Sequence, residues 1–247
     1  MKIYFLGTNG WYTNQTGNTP CILIDSKEGY IIFDAGNGFY KIDQYIKEDK
    51  PIFLFISHFH LDHVEGLHTF SKFDFPQGMD VFVGSGRKKD FEILVNAPYT
   101  TGFSENSKNK LHELKDGTHN IPFPVTVIEQ FHGFRDHSFR VTLEGKTIAY
   151  SGDCGVSPAS YKLAENVDLL IHECSYDKDI PSAKTWGHVT ARQAAQVAQK
   201  SGVKKLILTH FDPTKFPTLE SRKEAEKKTR KIFPETYVAN DDDVILM

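Results

Sequence analysis

The sequence predicts an α/β fold in which two β-sheets pack face to face with helices on the outer faces. Three observations predict it: two β-rich stretches are each followed by helical periodicity, the run Ile52 to Ile56 is apolar throughout, as a buried strand is, and no Pro-, Gly- or Ser-rich linker divides the chain. The 247 residues permit one large domain or two small ones, and without a linker they are read as a single domain, 1–247.

The first β-rich stretch is a meander. Ile3 to Leu6 leads into a Gly/Asn/Thr-rich loop ending at Pro20, then Cys21 to Asp25, a turn at Lys27 to Gly29, and Tyr30 to Phe33, which stops at Asp34-Ala-Gly. Phe39, Ile42 and Ile46 recur at helical intervals over Phe39 to Lys47, and Pro51 ends that segment before the strand Ile52 to Ile56. A helix around His63 to Phe70, a strand at Val81 to Val83 and a helix near Lys88 to Val95 follow. Asn96 to Asn120 is polar and aperiodic and reads as a lid or surface excursion.

The second half repeats the alternation, with strands at Val125 to Gln130, Phe139 to Leu143, Thr147 to Tyr150 and Val167 to Ile171. Thr190-Ala-Arg-Gln193 has the form of a capping box, so a helix runs from there to Lys200 and closes at Gly202. Lys204 to Thr209 is a strand, Ser221-Arg-Lys-Glu opens a charged helix read as a solvated outer face, and Val244 to Met247 is the last strand.

Composition narrows the function classes. A 39% apolar and 25% charged content belongs to a packed globule, not to a disordered chain. The formal charge of −3 offers no general attraction for polyanions. Three scattered cysteines, Cys21, Cys154 and Cys174, do not make a disulfide framework and point to the cytoplasm. The apolar start is too short for a signal-peptide core and no run reaches the ~20 residues of a membrane span, so export and membrane insertion are not expected.

The chemistry is concentrated in Ser57-His58-Phe59-His60-Leu61-Asp62-His63, directly after a buried strand. Imidazole and carboxylate are borderline-hard donors of the kind zinc takes. Four such groups crowd a single ion. Splitting them, with His58 and His60 on one metal and Asp62 and His63 on a neighbour, demands further ligands. His132, Asp153 and His210 answer that demand, because each lies just beyond the C-terminal end of an apolar strand and such ends can converge on one rim.

The chain resembles the metallo-β-lactamase-fold hydrolases, and among them the ribonuclease Z-like phosphodiesterases. The resemblance rests on the His-x-His-x-Asp-His run at His58 to His63, Tyr150-Ser-Gly-Asp153, His172-Glu173-Cys174, Gly187-His188-Val-Thr-Ala-Arg-Gln-Ala-Ala and Leu206-Ile-Leu-Thr-His210-Phe211. Gly7-Thr8, Gly17-Asn-Thr-Pro-Cys21 and Phe33-Asp-Ala-Gly36 are also similar. It implies a metallo-β-lactamase fold, a four-layer αββα sandwich of two mixed sheets, and a pair of divalent ions, zinc before manganese or iron. His58, His60 and His132 would hold the first ion, Asp62, His63 and His210 the second, and Asp153 would bridge. His132 is preferred to its neighbour His137 because the family's ligand precedes an aromatic-Arg pair at a similar interval.

Two such ions sharing a bridging oxygen would provide hydroxide near neutral pH and neutralise charge on a phosphoryl oxygen. The departing alkoxide still needs a proton. The resemblance assigns that task to His188, paired with Glu173, and Asp62 is counted with them in catalysis as well as among the ligands. Asp34 reads either as an acceptor that orients a metal-bound histidine or as a turn residue. His172 reads as structural, Cys154 as a packing thiol that could touch the site, and His68, His112 and His119 carry no pattern. Gly84-Ser-Gly86 lacks the spacing and the Lys-Ser/Thr ending of a phosphate loop.

The expected activity is therefore dinuclear metal-dependent phosphodiester hydrolysis, with a thioester, lactone or lactam hydrolase of the same fold as the alternative and a non-catalytic metal-binding protein behind it. The expected substrate is a small phosphodiester or nucleotide-like molecule. RNA is weighed against one absence: the branch members that mature tRNA carry a long basic arm, and none is recognisable here unless Asn96 to Asn120 supplies it. A homodimer is compatible with this reading.

Overall fold

The computed structural model describes residues 1–103, 108–178 and 185–247. Among them the strands form two mixed sheets of seven. The first contains β1 (Lys2–Gly7), β2 (Cys21–Asp25), β3 (Tyr30–Phe33), β4 (Ile52–Phe55), β5 (Asp80–Gly84), β6 (Lys110–Leu114) and β14 (Val244–Leu246), in the order β14-β1-β2-β3-β4-β5-β6. The second contains β7 (Gly117–Asn120), β8 (Pro124–Gln130), β9 (Asp136–Leu143), β10 (Lys146–Tyr150), β11 (Leu169–Glu173), β12 (Leu206–Thr209) and β13 (Thr236–Val238), in the order β13-β12-β11-β10-β9-β8-β7. Five α-helical segments accompany them among the described residues: α1 (Leu61–Val64), α2 (Lys88–Leu94), α3 (Pro158–Ala164), α4 (Ala191–Lys200) and α5 (Leu219–Thr229).

Strand alternation builds the layers. Ile3, Phe5, Ile31 and Phe33 project from the first sheet into a central core, where they meet Val125, Val141, Ile148 and Ile171 of the second. The intervening residues Leu6, Leu23, Ile32 and Leu54 face outward onto Phe39, Leu67 and Phe91. On the far side Ala149, Leu170 and Leu208 take the apolar faces of α3 and α4 through Leu163, Ala194 and Val197. This is the αββα order expected, with one apolar layer between each pair of neighbours.

Direction of travel decides where the polar ends emerge. β3 to β6 run parallel, as do β10 to β13, and β8 shares their sense because both β8 and β10 are antiparallel to β9. The segments that follow β8, β10, β11 and β12 therefore leave one edge of the second sheet.

Several elements differ from the sequence expectation. Phe39 to Lys47 is a 3-10 helix over Asn37–Gln44, and the helix around His63 to Phe70 is one α-turn, α1, continued as a 3-10 helix over Glu65–Lys72. The two segments are held at very short range: Gly66 N–H donates to Ala35 O (2.8 Å), and a Cβ on Gly66 would lie 2.0 Å from Gly36 O. The Asn96 to Asn120 excursion contains β6 and β7, whose exposed polar side chains mark them as edge strands; residues 104–107 of it lie outside the described residues. The charged helix α5 starts earlier, capped by Thr218, and it is not wholly a solvated face because Arg222 is fully buried. The capping box of α4 is formed by Thr190 and Gln193 as expected. Among the described residues no helix is long and apolar enough to cross a membrane.

Candidate metal centre

The site begins where β4 ends. Asp34 accepts from the Ser57 amide through Oδ1 (2.7 Å) and from the Ser57 hydroxyl through Oδ2 (2.8 Å), fixing the exit of the strand. The chain then stays extended to His60, so His58 and His60, two residues apart, share a face, and the single turn of α1 swings Asp62 and His63 to a neighbouring position. His132, Asp153 and His210 arrive from the segments after β8, β10 and β12.

Four of the five imidazoles among these residues have one ring nitrogen engaged by an oxygen. His58 Nδ1 lies 2.7 Å from Asp136 Oδ2, His63 Nδ1 2.7 Å from Asp34 Oδ2, His210 Nδ1 3.0 Å from Ser175 Oγ and His132 Nδ1 3.3 Å from Gly187 O. Such contacts fix tautomer and ring orientation and leave Nε2 as an inward lone pair. Tyr150 adds a fourth donor to Asp34, its hydroxyl 2.7 Å from Oδ2, so Asp34 is an orienting acceptor.

The inward atoms then crowd one another. His63 Nε2 lies 3.0 Å from His210 Nε2, and His132 Nε2 lies 3.2 Å from His60 Nδ1. Asp153 directs Oδ1 to His210 Nε2 (3.2 Å) and His63 Nε2 (3.4 Å), while Oδ2 faces His58 Nε2 (3.8 Å). Asp62 Oδ2 is 3.3 Å from His210 Nε2 and 3.7 Å from His63 Nε2. The donors fall into two groups, His58, His60, His132 and Asp153, and Asp62, His63 and His210, with the ligating atoms of each within 4.8 Å of one another. His58 Nε2 and Asp153 Oδ1 are buried without a hydrogen-bond partner. Opposed lone pairs and orphaned buried donors are costly unless cations lie between them, and the N/O donor set suits a divalent ion of the zinc class. The residues fit a pair of metal ions.

The carboxylates and imidazoles of the cluster also act on one another: burial lowers His63 and His210, but Asp153 outweighs it and raises both. Burial raises the carboxyl pKa of Asp153, but His210 and His63 outweigh it and hold the group well below the usual carboxylate range. Asp62 is likewise lowered, by His63 and His210 against its burial. Burial, reinforced by His63, pushes His58 well below the ordinary imidazole value, which keeps it a neutral donor.

His188 stands beside this cluster. Its Nδ1 is 2.9 Å from Glu173 Oε1 and 4.0 Å from Asp153 Oδ2. Burial pulls this imidazole down, yet Glu173 more than compensates and raises its pKa to about 9. Glu173 is itself buried and held by the Cys154 amide (2.8 Å) and the Ser175 hydroxyl (2.8 Å). His137 lies apart from the donors, with Asp116 and Glu129. His172 is buried against Glu173 O (3.0 Å) and Cys154 Sγ (3.7 Å), away from the cluster.

Sequence reasoning missed Asp136, Ser175 and Trp11. Asp136 stands between His132 and His137 in the sequence, where a lone aspartate carries no spacing signal of its own. Trp11 donates its backbone N–H to Asp62 Oδ2 (2.7 Å) and has φ 68°, a left-handed conformation that costs a bulky residue about 1–3 kcal/mol. The preceding Gly10 has no room for a side chain, since a Cβ would lie 2.4 Å from His210 Cε1. The cluster opens into a cleft of about 740 Å³ lined by His60, Asp62, Asp153, His188 and His210 together with Trp11 and Trp186.

A model of the beta-lactamase superfamily domain matches residues 30–211, which include every donor described. The chain belongs to the beta-lactamase superfamily. This superfamily member is similar to ribonuclease Z of Exiguobacterium sibiricum, with 29% identity over 302 aligned positions spanning 100% of this chain and 99% of that relative. More than fifty of those positions therefore face no residue of the 247 here. It is 24% identical to the probable metallo-hydrolase YhfI of Bacillus subtilis, over 85% of this chain and 87% of that one. In three dimensions it shares its fold with crystallised YhfI, a metallo-beta-lactamase fold protein (TM-score 0.82, 21% identity, 99% of both chains), and with the short form of human tRNase Z (TM-score 0.77, 24% identity, 100% and 99%).

Proposed function

We propose that this chain is a metal-dependent phosphodiesterase of the ribonuclease Z type that hydrolyses small, nucleotide-like phosphodiesters. In this reading His58, His60 and His132 hold one divalent ion, Asp62, His63 and His210 hold the other, and Asp153 serves both. When bound, two such ions supply Lewis acidity to a phosphoryl oxygen and lower the pKa of water. Zinc is the ion proposed, because imidazole and carboxylate are its ordinary ligands. The cytoplasmic assignment is supported by three cysteines that are buried and unpaired.

The observation that carries the reading is the His188–Glu173 pair, 2.9 Å apart and bordering the donor cluster. A phosphodiester displacement forms one P–O bond to an oxygen from water and breaks another to an alkoxide, which must leave with a proton. Glu173 occupies Nδ1 of His188, so Nε2 is the nitrogen that delivers this proton, and the carboxylate favours the charged ring that can give it. A non-catalytic metal site needs no such donor.

Two observations support a small substrate over tRNA. No lysine or arginine lines the cleft among the described residues, whereas Asp62, Glu65, Asp153 and Asp212 do. The gap of more than fifty positions against the Exiguobacterium ribonuclease Z is also large enough to contain an RNA-gripping insertion. The test is a panel of phosphodiesters, cyclic nucleotides, a tRNA precursor, thioesters and lactones offered to the metal-reconstituted protein. Turnover of the small diesters is expected. Thioester or lactone hydrolysis without any phosphodiester cleavage would overturn the reading in favour of the acyl alternative.

A further inference from the structure

We propose that Trp11 and Trp186 form a stacking clamp for the planar base of the substrate, so that the cleft selects a nucleotide-derived diester by its base. The proposal rests on the phosphodiesterase reading and names what that site recognises beyond the scissile phosphate.

These are the two tryptophans of the chain, and both line the metal-centre cleft. Each leaves a large indole in solvent, 66% exposed for Trp11 and 54% for Trp186, although aromatic surface of that size is ordinarily buried. The backbone of each is tied to its neighbours. Trp11 is held in its left-handed conformation by the bond from its N–H to Asp62 Oδ2 (2.7 Å). Its loop is closed by Asn9, whose side-chain amide donates to Tyr12 O (3.2 Å) and Gly17 O (2.8 Å), and Asn9 is itself held by the buried guanidinium of Arg222. Trp186 accepts from the Gly133 N–H through its carbonyl (2.9 Å), and its ring covers Gly133 so closely that a Cβ there would lie 3.3 Å from Cε3. The Trp11 backbone is thereby fixed beside Asp62, and the Trp186 ring lies on Gly133, next to His132. Backbone strain and exposed aromatic surface coincide at the mouth of the site, where rigid platforms cost a ligand little ordering entropy.

The charge of the cleft points the same way. With four carboxylates and no lysine or arginine along its lining among the described residues, the cleft offers a second or third phosphate no counterion beyond the reaction centre and His188. A nucleobase needs none, since stacking on aromatic rings requires no countercharge and tolerates any base.

Calorimetric titration of the metal-loaded protein with adenylate and with ribose phosphate tests the clamp, alongside indole fluorescence, which in this chain arises from these two residues alone. Adenylate is expected to bind more tightly than ribose phosphate and to quench the emission. Trp11→Ala and Trp186→Ala should each reduce the preference for adenylate roughly 5- to 150-fold, and Trp11→Phe and Trp186→Phe should retain most of it. Equal affinity for the two ligands, or an undiminished preference in both alanine variants, would overturn the proposal. Comparing kcat/KM for cyclic adenylate and for a base-free riboside cyclic phosphate separates the two readings. Equal values would sink the clamp and leave the phosphodiesterase standing, while base-dependent binding without hydrolysis of either would sink the reaction and leave the clamp.

Discussion

Asp136 Oδ2 lies 2.7 Å from Nδ1 of His58 and also accepts the backbone N–H of Asp153 at 3.1 Å. One buried carboxyl thus aligns a histidine of the first donor group and the chain that carries the carboxylate facing both groups. Burial, and then the charge of Asp153, pushes the Asp136 carboxyl well above its ordinary pKa, so this alignment is bought at a real desolvation cost.

Asp136→Ala should therefore weaken metal binding on the order of 10–100-fold, as loss of a group behind a ligating histidine commonly does. Asp136→Asn, which keeps an acceptor oxygen for His58, should lose less. Competition with a chromophoric chelator measures both. Wild-type affinity in the alanine variant, with its fold checked by circular dichroism, would show that His58 needs no such partner.

His132 and His137 are separated by five positions but reach different surroundings, His132 against His60 and Gly187 O, His137 beside Asp116 and Glu129. His132→Ala should lower the metal content of purified protein from two equivalents toward one, and activity should fall with it. His137→Ala should leave the metal content unchanged. Elemental analysis of the two variants decides between them, and the opposite pattern would reassign the ligand.

Arg222 is fully buried, and its guanidinium reaches Thr8 Oγ1 (2.9 Å) and Thr16 Oγ1 (3.2 Å) and stacks 4.5 Å from the ring of Phe211, the residue after His210. Arg222→Ala takes a donor from each of those oxygens, leaving Thr8 with Asp241 and Thr16 with Asn9 and Asn14, and opens a cavity, so it should cost on the order of 3 kcal/mol in denaturant unfolding. Arg222→Lys retains charge but not the planar fork and should recover only part of that loss. A substitution within 0.5 kcal/mol of wild type, about the range of ordinary surface changes, would mean that the loop stands without it.

Arg222 also shows where sequence reading stops. In Ser221-Arg-Lys-Glu it is one cation among several, and only contacts with Thr8, Asn9 and Thr16, some two hundred residues earlier, set it apart. Asp136 and Ser175 were hidden for the same reason, since a lone aspartate or serine acquires meaning only from the ring it faces. The edge strands β6 and β7 lacked the continuous apolar runs that revealed β2 and β3, because neither is covered enough to need them. What could be read was local or periodic: the strands of the central core, the Thr190 capping box, and donors crowded at His58 to His63. The convergence of His132, Asp153 and His210 was accessible because strand ends have a direction, which is a property of sheets and not of any single residue.

The Glu173–His188 pair gives the most discriminating kinetic prediction. If His188 must be protonated to release the alkoxide, activity is present below its pKa and is lost as pH rises through it, so the alkaline limb of kcat reports that group. Glu173 outweighs burial to raise this pKa to about 9. In Glu173→Gln the countercharge is gone while a hydrogen-bonding oxygen can remain, burial is no longer outweighed, and the alkaline limb should move to lower pH. His188→Ala should abolish that limb and depress turnover roughly 10²–10⁴-fold on diesters with alkoxide leaving groups. It should depress turnover far less on activated nitrophenyl diesters, whose leaving group departs without a proton. Equal losses on both substrate classes, or an alkaline limb that stays in place in Glu173→Gln, would take the proton away from His188.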